Sequence, residues 1–395
     1  MADTPIAFHR LTFVAERDGV TVGRPDTETF VVLPEDGAEL LHHLVTGRTP
    51  EQAAEWYRAT FGEPIDIADF LDTLRELGFV RAPGEPPVPP RTVRFHTLGR
   101  AMFSPVAWLV YGLVVVAAIL AMISRPDLRP DPGHVFFLPS LIAVQLILVL
   151  TQIPGLLVHE WFHVMAGRRR NLPTRLTVSR RMFFAVFETE LNGLLGIPRS
   201  QRYLAFLAGL LADVLVIAGL TLAAAADPGY WLAQLALAVA YLTLVRLAWQ
   251  LLIFLRTDLY YVLTTALGCT NLTEASTAYL RERFRWLRRL PARPADPDEW
   301  SERDRRYAPA FAVLTVIGSV SLVVALGFGG IPVLVEFIVR LRAGLAHGLA
   351  GGGYFWDSAT SLAVLSVQFA VFPLLAGKFA RTKNRRRSTA AQGAS

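Results

Sequence analysis

Polar and apolar positions divide the chain into two unlike parts. Through residue 83 they alternate in short stretches, around Leu11 to Val14 and Phe30 to Leu33, and then recur at helical spacing in three short segments. This pattern predicts a small soluble α+β unit. Its middle helix has a defined start, because Thr49 can cap it, Pro50 suits the first helical position and Gln52 sits where a capping-box partner belongs. Asp66 to Leu77 predicts the last helix, with Gly78 ending it. The run Pro83-Gly84-Glu85-Pro86-Pro87-Val88-Pro89-Pro90 then predicts a stiff, extended linker over 84–100, and with it a domain boundary.

Beyond the linker the pattern changes to long apolar runs. Six are expected as spans, at about 105–123, 135–167, 203–226, 230–263, 308–339 and 359–377, each near or above the roughly 20 residues a helix needs to cross hydrocarbon. The expected fold is therefore mainly α: a polytopic membrane protein with about six transmembrane helices plus the small N-terminal domain. Four spans form a core over 101–280, a basic loop covers 281–307, two further spans lie within 308–380, and a basic tail covers 381–395. The segment Arg168 to Arg202 is too polar to cross. It holds two short β-like stretches, Leu176 to Val178 and Met182 to Phe187. These read either as a hairpin at the membrane surface, whose edge could pair with an extended substrate, or as a plain connecting loop.

Composition agrees with this division. At 53% hydrophobic and 18% charged residues, the chain is not read as a soluble multidomain protein. The net charge of +6 could suggest nucleic acid, but the arginines cluster beside apolar segments rather than along one soluble face. They read as topology determinants. Lys and Arg crowd the flanks on the amino-terminal side of the first span, which places both termini in the cytoplasm of a multi-pass protein of the cell membrane, with lipids as partners and no nucleic acid. Met1 to Arg10 lacks the order of a secretory signal. Cys269 is the single cysteine, so neither an intramolecular disulfide nor a cysteine metal cage is expected.

The candidate chemistry lies at the end of the second span, in His159-Glu160-Trp161-Phe162-His163. Residues four apart share a helix face, so the two imidazoles can grip one zinc ion, while Glu160 lies one position round and can take a proton from a water that the metal activates. With eight histidines in the chain, a chance match has odds on the order of one in a hundred. Zinc needs a third ligand, and the acidic candidates are Asp213, Asp258, Glu188 and Glu190. Topology favours Asp258, because the second and fourth spans run the same way and bring His159, His163 and Asp258 level. Asp213 lies roughly 15 Å up the third span by helix rise. A carboxylate there needs a partner, and Arg246 stands at a similar depth in the fourth span. An ion pair locking the two spans is expected, with contact to a metal ligand or to substrate as the other role for Asp213.

These residues carry a family resemblance. His159 to His163 after a long apolar helix, Ala208-Gly209-Leu210 in the next span, Asp258 before Tyr260-Tyr261, and Asn271-Leu272 together resemble the site-2 protease family of intramembrane zinc metalloproteases, and within it the putative peptide zinc metalloproteases. The resemblance covers about residues 100 to 280. It implies a three-helix catalytic core with His159, His163 and Asp258 on zinc and Glu160 as general base. Three positions depart from the family pattern. Leu259 stands where a glycine follows the aspartate, Leu210 where a proline closes the Ala-Gly pair, and Gln250 is nearest to an asparagine that holds substrate. The proline that precedes the aspartate in the family is also missing, so the fourth span is expected to run unbroken. Residues 1–83 resemble the PqqD-like winged-helix domains that bind leader peptides of ribosomally made natural products, through Leu33 to Gly37, Leu40-Leu41, Gly47 to Thr49 and Phe70 to Val80.

The resulting expectation is a zinc metalloendopeptidase cutting a peptide bond near the cytoplasmic leaflet. Its substrate would be a precursor peptide, with the leader at the N-terminal domain, or a membrane-anchored regulator cut in signalling. A non-catalytic membrane scaffold or export accessory is the alternative from another class.

Overall fold

The structure is a computed structural model that describes residues 5–16, 19–27, 29–82, 84–86, 93–181, 184–190, 192–226, 229–284, 300–325, 327 and 331–367, with backbone only over 175–190. The N-terminal part begins with an antiparallel meander of β1 (Thr12–Glu16), β2 (Gly19–Arg24) and β3 (Thr29–Leu33), registered Val14 to Thr21 and Val22 to Val31. The outer two strands match the predicted stretches. The central one escaped prediction because glycines at both of its ends, Gly19 and Gly23, dilute its short Val-Thr-Val alternation.

Three helices follow, α1 (Glu35–Val45), α2 (Pro50–Phe61) and α3 (Ile67–Glu76). The expected capping box on α2 is formed. Thr49 Oγ1 accepts from the Gln52 amide at 3.3 Å, and Gln52 Oε1 accepts from the Thr49 amide at 3.2 Å. Asp66 caps α3 through two amides at 3.1 Å. Leu40, Leu41, Leu44, Leu71, Leu74 and Phe79 close over Val22 in one core. This makes residues up to about 82 an α+β unit with its own hydrophobic interior.

The remainder is helical. A short helix α4 (His96–Met102) precedes α5 (Pro105–Ser124), α6 (Leu141–Arg168), α7 (Arg199–Ala225) and α8 (Tyr230–Trp249). After these come α9 (Asp258–Leu267), α10 (Leu272–Arg283), α11 (Glu302–Ala325), α12 (Ile331–Ala346) and a helix over 353–367. Among the described residues five helices are long and apolar enough to cross a membrane, namely α5, α6, α7, α8 and α11. Leu109, Leu113, Leu120, Leu150 and Val320 are exposed along them, a surface suited to hydrocarbon rather than water. α7 sits centrally and packs on α5, α6, α8 and α9. Ser140 and Asp357 cap α6, the latter accepting from the Leu141 amide at 2.8 Å.

One expected span is corrected. The fourth, expected over 230–263, breaks after Trp249 and resumes as α9 at Asp258. No proline is needed, because Arg256 takes a left-handed backbone (φ 57°), Thr257 Oγ1 donates to the Gln250 carbonyl at 2.7 Å, and the Asp258 amide donates to Gln250 Oε1 at 3.1 Å. Side-chain hydrogen bonds compete with the helix and end it there. The fifth, expected over 308–339, is described as α11 through Ala325 and as α12 from Ile331, and residues 326 and 328–330 between them lie outside the described residues. The sixth lies partly outside the described residues. The segment after α6 does form a hairpin, β4 (Arg175–Arg181) with β5 (Phe184–Glu190), registered Val178 to Phe187.

The soluble unit is clamped to the helices. Glu16, at the end of β1, pairs with Arg199 and with Arg202 (2.6 Å), both in the first turn of α7, and the Glu16 and Arg202 side chains are nearly inaccessible. Removing one partner of a buried pair leaves an uncompensated charge. Glu16→Ala is therefore expected to weaken docking by about 3 kcal/mol, read as faster hydrogen exchange in β1 and in the short 3-10 helix Asn192–Gly196 without loss of the α6–α7 protection.

Candidate metal centre

α6, α7 and α9 meet at one place. α6 is lipid-facing over most of its length but buries its last turns, with His159, Glu160, Phe162 and His163 all inaccessible or nearly so. Opposite them α7 presents Ala205, Ala208, Gly209 and Ala212, all buried and small, so the two helices approach closely. At Gly209 a Cβ would overlap the Nε2 atoms of both His159 and His163. Only glycine leaves room there for the imidazoles. The Ala-Gly pair that carried part of the family resemblance thus has a steric cause.

Asp258 reaches the same point from the break after α8. As the first residue of α9 it stands at a helix N-terminus, where free amides and the helix dipole favour a carboxylate. Its Oδ2 lies 3.2 Å from His159 Nε2 and 3.3 Å from His163 Nε2, and the two Nε2 atoms are 3.2 Å apart. Among the described residues these three form the one group of His, Cys, Asp or Glu side chains close enough to share a metal ion. Arg256, the neighbour that could have drawn Asp258 into a surface pair, pairs with Glu274. The side chains of Glu188 and Glu190 lie outside the described residues.

The tautomers can be argued from the other ring nitrogens. His163 Nδ1 meets the Ala205 carbonyl at 2.6 Å, which can only accept, so Nδ1 carries hydrogen and a neutral ring offers a lone pair at Nε2. His159 Nδ1 meets Asp213 Oδ2 at 3.1 Å, and the same reasoning applies. Three acceptor atoms then face one another at 3.2 to 3.3 Å, an arrangement that repels unless a cation lies among them. A tetrahedral zinc with bonds of about 2.0 to 2.1 Å has ligand-to-ligand edges of about 3.3 Å. The donor set fits the ion.

Asp213 is fully buried and answers both expectations made for it. Its Oδ1 accepts from Arg246 Nη2 at 2.5 Å and its Oδ2 from Arg246 Nε at 3.3 Å, joining α7 to α8 as predicted. The same carboxylate orients His159, a carboxylate–histidine arrangement that fixes ring orientation and raises ligand basicity. Gln152, two turns before His159 on α6, accepts from Arg246 Nη1 at 3.4 Å. Gln250 holds the Asp258 amide, so its side-chain oxygen is engaged in placing a ligand. Sequence reasoning missed the Ala205 carbonyl, since a backbone acceptor leaves no mark in residue identity.

These features describe a mainly helical protein with five helices long and apolar enough to cross a membrane and a His-His-Asp cluster, its two histidines buried, between three helices. No protein-family model, curated protein or solved structure matches the chain.

Two substitutions test the centre. Gly209→Ala is expected to push the imidazoles apart and abolish high-affinity zinc binding, and Asp213→Asn to weaken zinc binding by about 10- to 100-fold with the helices still assembled. Competition with a chelating dye, alongside circular dichroism, measures both.

Proposed function

We propose that the chain is an intramembrane zinc metalloendopeptidase of the site-2 protease type. One observation carries the reading: the near-equilateral triangle of His159 Nε2, His163 Nε2 and Asp258 Oδ2, with the buried Glu160 adjacent to His159 on the same helix. Zinc held by the three would act as a Lewis acid on a peptide carbonyl and bring the pKa of water toward neutrality. Glu160 takes the proton of the attacking water and returns it to the amine that leaves as the peptide C–N bond breaks. His159 and His163 keep their orientation through Asp213 and the Ala205 carbonyl while charge develops in front of them.

The distribution of Lys and Arg supports cytoplasmic termini and a cut near the cytoplasmic leaflet. The docking of the N-terminal unit on the first turn of α7, which carries Gly209 and Asp213 further along, supports delivery of a peptide substrate by that unit. Its sequence resemblance, with three strands and three helices beside it, supports a PqqD-like role in holding a leader peptide. A precursor peptide is thus favoured over a membrane-anchored regulator, and an intact Glu160 over a scaffold that has lost catalysis.

Purified wild-type chain is expected to carry about one zinc ion, and His159→Ala and Asp258→Ala close to none. Glu160→Gln is expected to keep the metal while hydrolysis of a fluorogenic peptide mixture falls by about 10²- to 10⁴-fold. Zinc retention with unchanged turnover in Glu160→Gln would remove the assigned base; absence of zinc from the wild type would remove the centre.

A further inference from the structure

The outward side of the α6 terminus bears a second feature that the metal centre does not use. Trp161 and Leu157 point away from the buried histidines, and with Phe95, Leu98, Met165 and Arg168 they line an apolar groove of about 610 Å³ between α4 and α6. α4 comes this close because Gly99 lies against the α6 backbone, where a Cβ would meet the Met165 carbonyl and the Arg169 amide. Its first residue boundary is strained: Phe95, not a glycine, adopts φ 63°, and its exposed ring lies under the Arg168 guanidinium with 5.6 Å from carbon to centroid.

Cations gather at one end of this groove. Arg168 lines the groove, Arg169 and Arg170 follow it where α6 ends, and Arg100 of α4 lies within electrostatic reach of Arg169. Burial, with Arg170 and Arg100 near, pushes the Arg169 guanidinium below its ordinary pKa. Arg168 donates to the Thr174 carbonyl at 3.4 Å, and among the described residues none of these four arginines has a carboxylate partner. As a sequence, this cluster reads only as a topology signal. In the fold it is a concentrated positive charge at the mouth of an apolar slot.

We infer that the α4–α6 groove binds an anionic phospholipid, with its phosphodiester on Arg168, Arg169 and Arg100 and an acyl chain along Leu98, Leu157 and Trp161. A free phosphate would satisfy the guanidiniums and leave the apolar wall bare. A substrate's transmembrane segment is disfavoured by charge, because its cytoplasmic flank carries Lys and Arg by the same rule that orients this chain. Anionic headgroups of the cytoplasmic leaflet match both parts of the groove. The inference goes beyond the catalytic reading and does not depend on it.

The test uses the full chain in nanodiscs of phosphatidylcholine, with or without phosphatidylglycerol, and weighs retained lipid by native mass spectrometry after gentle detergent release. Wild type is expected to retain phosphatidylglycerol in preference to phosphatidylcholine, with retention falling about fivefold per arginine removed in Arg168→Gln and in Arg168→Gln/Arg169→Gln. The charge-keeping Arg168→Lys/Arg169→Lys chain is expected to retain it, which separates lost charge from lost folding. Leu98→Asp, which leaves the cations in place, is expected to lose retention as well. Equal retention of the two lipids, or unchanged preference in the Gln variants, would overturn the site. So would displacement of the lipid by excess inorganic phosphate, which would show a simple anion site, or retention by Leu98→Asp, which would show that the groove plays no part.

Discussion

A carboxylate with no accessible surface, Asp213, sits inside an apolar helical bundle, and much of the core is arranged around the cost of keeping it there. An isolated charge at that depth is strongly unfavourable, so it demands partners from neighbouring helices. Arg246 answers from α8 and His159 from α6. One side chain thereby ties three helices together and orients a candidate metal ligand. The same Arg246 reaches Gln152 on α6, so the polar contacts close a ring within the hydrocarbon-facing assembly.

The small residues of α7 serve the same end by a different physical route. Charges hold the helices together, but van der Waals contact decides how near they come. Ala205, Ala208, Gly209 and Ala212 remove side-chain bulk along one stripe, which lets two imidazoles occupy the space between helices. The break between α8 and α9 then brings in Asp258 as an N-terminal residue rather than a mid-helix one. A continuous helix would deny that carboxylate the free amides that favour it. Hydrogen bonds from Thr257 and to Gln250 make the break without proline.

On this account the centre, the soluble unit and the outer groove are mechanically close. α7 begins at the Glu16 clamp, passes the histidines at Gly209 and ends its polar part at Asp213. α6 presents ligands on one side of its last turns and Trp161 to the groove on the other. Whatever holds the soluble unit or fills the groove therefore acts on the same two helices that form the centre.

Much of this was legible in the residue order. The His-Glu-x-x-His spacing, the caps on α2 and α3 and the apolar runs are local, and local patterns follow from helix geometry and burial alone. The level placement of Asp258 and the Asp213–Arg246 pair were also readable from position along each helix, whereas the expected separation of Asp213 from the histidines was not met, since its carboxylate reaches His159 at 3.1 Å. The unread parts depend on which helix faces which. The Ala205 carbonyl carries no side-chain identity, the role of Gly209 exists only through the approach of α6, and the break at Gln250 arises from side-chain hydrogen bonds across eight residues where no proline announces it. The sequence by itself determined which groups could bind a metal and roughly at what depth; the tertiary structure decided their mutual orientation, because that is set by packing distances no linear pattern records.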